Sequence, residues 1–387
     1  MKIIIFDGSF NTTTFINRLI KGLSINHEVF VFGFDENIQN KISGIKYIGL
    51  GTNNSRFFFL VRSFQLRGFS IRKLVDLCVG LVLRNKSKIR QQNIQFAIDS
   101  IQPDILHFQW VSVLSYFKDL QLPTHTKTIL SQRGFHINVR PFVNIENKLF
   151  LEGVFKKIDG FHSVSKAIQE KSNEIYASSS KIDHVVYSGF DTDSFQTKTT
   201  WNISKQLKIL SIGRNHWKKD YRTAVLAMYL LKERKIPFHY TIVGVKNSEE
   251  LLFLVNDLHL KDYITFLDSI PQEQVYEKML DSDLFLLPSV EEGIANVCIE
   301  AMLSKLPVLS TDCGGMSELI VDSETGFLVP TRNPKALADK ISIFFKLQEI
   351  DILQLVQAAH IKATTQHTSK QMVDGLLSLY KKVYENN

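Results

Sequence analysis

The stretch "KILSIGRNHWKKDYRTAVLAMYLLKERKIPFHYTIVG", residues 208–244, reads as a strand, a polar loop, a helix and a second strand. Its first apolar run stops at Gly213, and its second, "YTIVG" at 240–244, follows a helical pattern from Asp220 to Lys235. Short apolar runs on either side of a helix are what a βαβ unit with buried parallel strands requires. Downstream the alternation continues through "YITFL" (263–267), "LFLLP" (284–288), "PVLST" (307–311) and "GFLVP" (326–330). Upstream the strand candidates are residues 2–6, 28–34, 46–50, 104–108, 127–131, 160–165 and 184–189. A polar stretch separates the two series, so the alternation predicts two doubly wound α/β domains. The expected boundaries are residues 1–190, a linker at 191–205, a second domain at 206–368 and a last helix at 369–387. With 387 residues, 44% of them hydrophobic, the chain is long enough for two cores. Which domain the last helix covers is not readable from its pattern.

Met1 and Lys2 lead directly into "IIIF", which leaves no room for the apolar region of a secretory signal, so the expected compartment is the cytoplasm. Cys78, Cys298 and Cys313 are scattered, an argument against disulfides and a cysteine-based metal site. The net charge of +7 is concentrated. From Asn53 to Gln92 stand Arg56, Arg62, Arg67, Arg72, Lys73, Arg84, Lys86, Lys88 and Arg90 against the single acid Asp76, interleaved with Phe57, Phe58, Phe59, Phe64 and Phe69. The longest apolar run there, "LCVGLVL", is far shorter than the roughly 20 residues a membrane span needs. Two readings stand equally: a patch for an anionic membrane surface, or ordinary solvated helices whose phenylalanines are core. No nucleic-acid partner is expected.

Ligands of open parallel sheets sit beyond the carboxyl ends of the strands. The residues falling there are Gly8 and Ser9; Gln109; Arg133, Gly134 and His136; Gly213 and Arg214; Ser289 to Gly293; and Asp312 to Gly315. Two such edges presented to each other would make a cleft. Arg214 and Lys219, at a strand end and a helix start, supply a guanidinium fork and a mobile ammonium suited to a diphosphate. They would serve equally as surface charges flanking a turn. In "PSVEEGIANVCIEAM" (288–302), Glu292 lies in a loop and Glu300 in the following helix. Two carboxylates so placed can bracket a ligand and accept from vicinal hydroxyls, while the backbone of Gly293, Ile294, Ala295 and Asn296 offers N–H groups. Taken alone, they read as well as a loop acid and a capping partner.

The run from Leu286 to Pro330 resembles the signature region of the retaining glycosyltransferases of family four, with Glu292 and Glu300 as its paired glutamates. "IGRNHWKKDY" is similar to that family's Gly-Arg…Lys segment, and "VVYSGFDTDSF" (185–195) to its interdomain stretch, with Ser188 where Asn is usual. The resemblance implies a GT-B fold, two Rossmann-like domains facing a central cleft, and a nucleoside-diphosphate-sugar donor, UDP- or GDP-linked, held mainly by the second domain. It implies Arg214 and Lys219 on the diphosphate, Glu300 on the ribose, and Glu292 with residues 293–295 on the sugar. Ser9, Gln109, Arg133 and His136 are the acceptor-side candidates. No cofactor and no metal is expected, because Arg214 and Lys219 would supply the positive charge. The implied activity is hexosyl transfer to a glycan acceptor, lipid-linked, in polysaccharide biosynthesis, by an enzyme peripheral to the inner face of a membrane. A nucleotide-sugar epimerase, a glycogen-type synthase and a donor-binding partner without turnover are the alternatives.

Departures from the family pattern are local. The usual "EGFG" is Glu292-Gly293-Ile294-Ala295, the loop after the first strand is reduced to Gly8-Ser9-Phe10, and Gln109 stands where many relatives carry His. His107, inside a strand, reads first as core. "DTD" (191–193) and "DSD" (281–283) are similar to a metal motif of another glycosyltransferase fold, but they fall at a turn and at a helix-to-strand connection.

Overall fold

The computed structural model describes residues 1–387 except 11–12, 35–37, 39–40, 53, 69, 118, 202–205 and 386–387. Asn53 and Phe69 of the basic segment and residues 202–205 of the expected linker therefore lie outside the described residues. The chain forms two compact units. One comprises Met1–Val164, Ile168–Phe190 and Ser369–Asn387; the other comprises Ser165–Ala167 and Asp191–Thr368.

The first unit is built on strands β1 (Lys2–Gly8), β2 (Glu28–Gly33), β3 (Lys46–Gly49), β4 (Ile105–Phe108), β5 (Lys127–Gln132), β6 (Gly160–Ser163) and β7 (Ile182–Val185). All neighbours pair parallel in the order β3-β2-β1-β4-β5-β6-β7. Successive connections step outward from β1 to β3 and then jump back to β4, so the order in which strands are added reverses between β1 and β4. Ile3, Ile4, Ile5 and Phe6 are wholly buried, which explains why β1 has no polar alternation.

The second unit has β8 (Leu207–Ile212), β9 (Phe238–Val243), β10 (Ile264–Leu267), β11 (Leu284–Leu287), β12 (Val308–Thr311) and β13 (Phe327–Val329). Their order is β10-β9-β8-β11-β12-β13, again all parallel. Here the reversal lies between β8 and β11. Both expected doubly wound sheets are present.

The seventh strand starts earlier than residues 184–189 and stops sooner. Lys181 and Asp183 hide its beginning: they form a buried pair at 3.3 Å, which an apolar pattern cannot register. Beyond it Val186 still donates to the Ser163 carbonyl at 3.0 Å before the chain leaves the sheet.

The last helix, Ser369–Glu385, belongs to the first unit, burying Met372, Val373, Leu376, Leu379, Tyr380 and Val383 at helical spacing. Its approach is close enough that a Cβ on Gly160 would lie 2.6 Å from Val383 Cγ2, and one on Gly22 2.4 Å from Val373 Cγ2. Helices Arg56–Arg67, Ile71–Val82 and Lys86–Ile101 carry the basic segment. Phe59 is core there, whereas Phe57, Phe58 and Phe64 are exposed. Arg67 is not part of that surface: it is buried and donates to Ser63 O, Asn93 Oδ1 and Gln92 Oε1 at 2.8, 2.6 and 2.7 Å. Burial pushes its pKa down to about 10. Among the described residues no helix is long and apolar enough to cross a membrane.

Candidate functional site

At the carboxyl end of the second sheet, the loops after β8 and β11 flank the point where strand order reverses, the place where doubly wound sheets take ligands. The two loops are tied by Val290 N–H donating to Lys218 O at 2.7 Å. After β8 the chain turns so tightly that a Cβ on Gly213 would come 2.8 Å from the Tyr221 hydroxyl. Gly244 after β9 has φ +97, and a Cβ there would meet Gly213 O at 2.6 Å. The backbone thus stays clear at the mouth of β8, and Lys219 reaches across it.

Lys219 Nζ lies 2.6 Å from Glu292 Oε1, a largely buried ion pair, and Ser289 Oγ donates to the same oxygen at 3.0 Å. Thr311 Oγ1 donates to Ser289 O, fixing the loop from below. A Cβ on Gly314, at φ +54, would overlap Glu292 O at 1.7 Å, so the loop after β12 can pass only as glycine. Gly315 N–H donates to Gly293 O at 2.9 Å. Two neighbouring loops therefore hold Glu292 and Gly293 in place.

Helix Asn296–Leu303 starts immediately after this loop, and its first N–H groups have no partner within the helix. Glu300, 9% exposed, accepts from Gln272 Nε2 at 2.9 Å, and Gln272 also donates to the Tyr276 hydroxyl at 2.8 Å. Lys219, Glu292, Ile294, Ala295, Asn296 and Glu300 line one cavity of about 490 Å³, together with Gln272 and Val275. That volume suits a ligand of nucleotide size. Gly293 is buried and does not line the cavity, and Arg214 is exposed at the loop after β8 without lining it. Gln272 was missing from the sequence reading, although it follows β10 as Glu292 follows β11 and Pro271 marks its loop. The strand-end rule, applied to residues 268–272, would have found it.

The field around the loop after β8 is positive. Burial first, then Lys218, Arg214 and Lys219, hold His216 below its ordinary pKa. Lys218 is lowered by burial and by Lys219 and Arg214, with Glu292 partly restoring it. That loop brings positive charge to the edge of a cavity whose own lining sets Lys219 against Glu292 and Glu300. Burial pushes the Cys298 thiol well up and that of Cys313 up to about 12, so neither offers a thiolate near neutral pH. Among the described residues, no group of three or more His, Cys, Asp and Glu side chains has the geometry of a metal site. Asp283 Oδ2 accepts from Lys208 N–H at 2.9 Å, and Asp281 pairs with Lys208 Nζ at 2.7 Å, at the amino end of β8 and away from the cavity. Asp191 to Asp193 lie at a short turn.

In the first unit the strand-end candidates gather less completely. Arg133 donates to Gln109 Oε1 at 3.1 Å and to Gln109 O at 3.4 Å. Its guanidinium lies 4.3 Å from the Phe15 ring centre, and burial brings its pKa to about 9 despite Asp7. Asp7 accepts from Trp110 Nε1 at 2.6 Å. Gln109 is fully buried, and its Nε2 has no hydrogen-bond partner. Ser9, just after β1, and His136, in the short helix Phe135–Asn138, are half-buried, with His136 edge-on to Phe135 at 5.6 Å. His107 is fully buried, as a core residue is.

Residues 193–362 match the model of the family described as glycosyl transferases group 1. The amylovoran biosynthesis glycosyltransferase AmsK of Erwinia amylovora is 28% identical over 316 residues, covering 79% of this chain and 74% of that protein. The putative colanic acid biosynthesis glycosyltransferase WcaL of Escherichia coli (strain K12) is 32% identical over 192 residues, 48% of this chain and 47% of its own length. The crystal structure of Anabaena HepE in complex with UDP-glucose superposes with a TM-score of 0.76 at 16% identity, covering 99% of this chain and 100% of that one.

Proposed function

Because this chain belongs to the glycosyl transferases of group 1 and has their GT-B fold, we propose that it moves a hexose-type sugar from a nucleoside-diphosphate donor to a glycan acceptor, with retention of configuration. The observation that carries the proposal is the cavity at the reversal point of the second sheet, where Lys219, Glu292 and Glu300 converge. Glu300, held by Gln272 and facing the cavity, accepts from the vicinal hydroxyls of the donor ribose. Lys219 and, from the exposed rim, Arg214 take the diphosphate. Glu292 and the backbone of residues 293–295 face the sugar.

In the reaction the bond from the anomeric carbon to the diphosphate oxygen breaks, and a bond to the acceptor oxygen forms on the same face. The acceptor proton passes to the departing phosphate oxygen. Charge grows on the diphosphate as the bond stretches, so Lys219 and Arg214 assist most in the transition state. A diphosphate arriving at Lys219 competes with Glu292 for the ammonium, which frees the carboxylate to accept from sugar hydroxyls. Gln109, whose Nε2 has no partner, and Arg133, which donates to its Oε1, are the acceptor-side groups we assign. The names of AmsK, an amylovoran biosynthesis glycosyltransferase, and WcaL, a putative colanic acid biosynthesis glycosyltransferase, support a role in polysaccharide biosynthesis, for which we propose a lipid-linked acceptor. The UDP-glucose complex of HepE supports a UDP-sugar before a GDP-sugar.

A thermal-shift screen of UDP- and GDP-sugars, followed by nuclear magnetic resonance of the product, tests this. The expected result is one stabilising donor and a product whose anomeric configuration matches the donor. An inverted product would overturn the retaining assignment, and indifference to every nucleotide sugar would overturn the donor site.

A further inference from the structure

Trp217 differs from the other two tryptophans of the chain. Trp110 donates its indole N–H to Asp7 Oδ1 at 2.6 Å, and the buried Trp201 donates to Lys305 O at 3.0 Å. Trp217 is 56% exposed, and among the described residues its indole N–H has no hydrogen-bond partner. A single exposed apolar side chain is common. This one stands on a fixed backbone. In the turn Trp217–Lys219, Lys219 N–H donates to His216 O at 2.9 Å and Asp220 N–H to Trp217 O at 3.1 Å, while Val290 N–H donates to Lys218 O at 2.7 Å. His216 Nδ1 accepts from Lys218 N–H at 3.2 Å, and the imidazole so held lies against the indole, ring centres 5.6 Å apart and planes tilted by 33°. The indole is braced before any ligand arrives.

Its place is the rim of the cavity at the second sheet. The turn ends in Lys219, which pairs with Glu292 inside that cavity, and begins three residues after the exposed Arg214. His216, in contact with the indole, feels the charges of Arg214, Lys219 and Glu292. Trp217 itself does not line the cavity. The ring therefore lies outside the space assigned to the nucleotide sugar and beside the groups assigned to its diphosphate. What must come to that mouth during transfer is the acceptor, because its oxygen meets the anomeric carbon where the diphosphate leaves.

We propose that Trp217 is an acceptor-binding residue: its indole face takes the C–H face of a pyranose ring of the acceptor, and its indole N–H donates to one of that ring's hydroxyls. A pyranose gathers axial C–H groups on its faces, and their slightly positive hydrogens suit the negative face of an indole. The hydroxyls around the ring accept from the N–H at the indole edge. A rigid aromatic presented ready-made spends little entropy on binding. The inference rests on the donor-site reading above and adds to it the chemical class of the group that approaches from outside the cavity.

The full chain, saturated with whichever of UDP and GDP stabilises it, is titrated with methyl β-D-galactoside, methyl β-D-glucoside and methyl α-D-mannoside. Glycerol, which has hydroxyls and no ring face, is the control. Intrinsic fluorescence reports on the indole, and saturation-transfer nuclear magnetic resonance reports on the sugar. At least one pyranoside is expected to change the tryptophan emission where glycerol does not. Trp217→Phe should lose that change yet bind the sugar within about threefold, and Trp217→Ala should bind it about tenfold more weakly. Affinity for the nucleoside diphosphate should stay within about twofold in both variants. The ring is exposed, so an unaltered unfolding midpoint serves as the folding control. A wild-type chain indifferent to both UDP and GDP would overturn the donor-site reading and this inference with it. Normal diphosphate binding with no emission change for any pyranoside, a change that persists in Trp217→Phe, or sugar binding untouched by Trp217→Ala would overturn the inference alone. So would an equal loss of diphosphate affinity in Trp217→Ala, which would make the indole part of the nucleotide site.

Discussion

At the scale of single residues, Glu292 and Glu300 do different things although both line one cavity. Glu300 is buried and held from one side by Gln272, whereas Glu292 is the ion-pair partner of the Lys219 ammonium. Glu300→Ala is therefore expected to weaken UDP or GDP binding by about tenfold, the worth of one or two hydrogen bonds to a charged acceptor. Glu292→Ala removes a negative charge beside the diphosphate position and should leave nucleotide affinity within about threefold while transfer falls by about a hundredfold or more. Isothermal titration of both variants with the nucleoside diphosphate, beside their turnover, checks the split. Equal losses of affinity in both would remove the distinction. The two glutamates were legible because their spacing and the intervening glycine are carried by one continuous stretch. Gln272 was not, because its tie to Glu300 joins residues 28 apart in sequence and an amide carries no motif of its own. Arg214 matched a motif, but its strand end directs it to the exposed rim, outside the cavity lining.

Among elements, the strands were largely legible because a buried parallel strand is a short apolar run whatever surrounds it. The destination of the helix Ser369–Glu385 was not, since an apolar stripe says that a helix is covered and not by what. Part of its attachment is polar and hidden in the core. His162 Nε2 lies 2.9 Å from Val186 O, a pure acceptor, so that nitrogen carries the hydrogen and Nδ1 accepts from Ser131 Oγ at 2.8 Å. Ser131 in turn accepts from His107 Nε2 at 2.8 Å, and His107 Nδ1 accepts from the Tyr380 hydroxyl at 2.6 Å. The chain of bonds crosses β4, β5 and β6 and ends on the last helix, with both rings neutral. Tyr380→Phe leaves a buried acceptor unmet and should cost about 1–3 kcal/mol, measured by denaturant unfolding. Burial, then the neighbouring imidazole and Arg133, holds His107 well below its ordinary pKa; burial and Arg133 bring His162 to about 3. Below the unfolded value near 6.5 the unfolded chain takes up protons that the folded one refuses. Stability of the first unit is thus full above about pH 7 and falls with acid, by up to about 1.4 kcal/mol per pH unit for each histidine. A first-unit midpoint that is unchanged between pH 7 and pH 5 would contradict the neutral-ring chain.

For the whole molecule, the division into two units with separate cores predicts that ligand and acid act mainly on different transitions. His107 and His162 are in the first unit, whereas every residue lining the proposed donor cavity is in the second. A nucleoside diphosphate at one hundred times its dissociation constant should stabilise the second unit by about 2.7 kcal/mol, leaving the first to melt where it did. Lowering the pH should move the first transition more than the second, where His216 and His239 are also held below their ordinary pKa but are less deeply buried than His107 and His162. Charge adds a further condition. If Lys219 and Arg214 neutralise the diphosphate as proposed, no divalent ion is needed for it, and the ligand-induced shift should persist in excess chelator. Differential scanning calorimetry with UDP, then with UDP and chelator, decides each point on one sample. If the shift vanishes in chelator and returns with magnesium or manganese, a metal carries the diphosphate and the assignment to Lys219 and Arg214 fails. If both transitions shift together with UDP, ligand binding is coupled to the stability of both units, and the confinement of its effect to residues of the second unit is wrong.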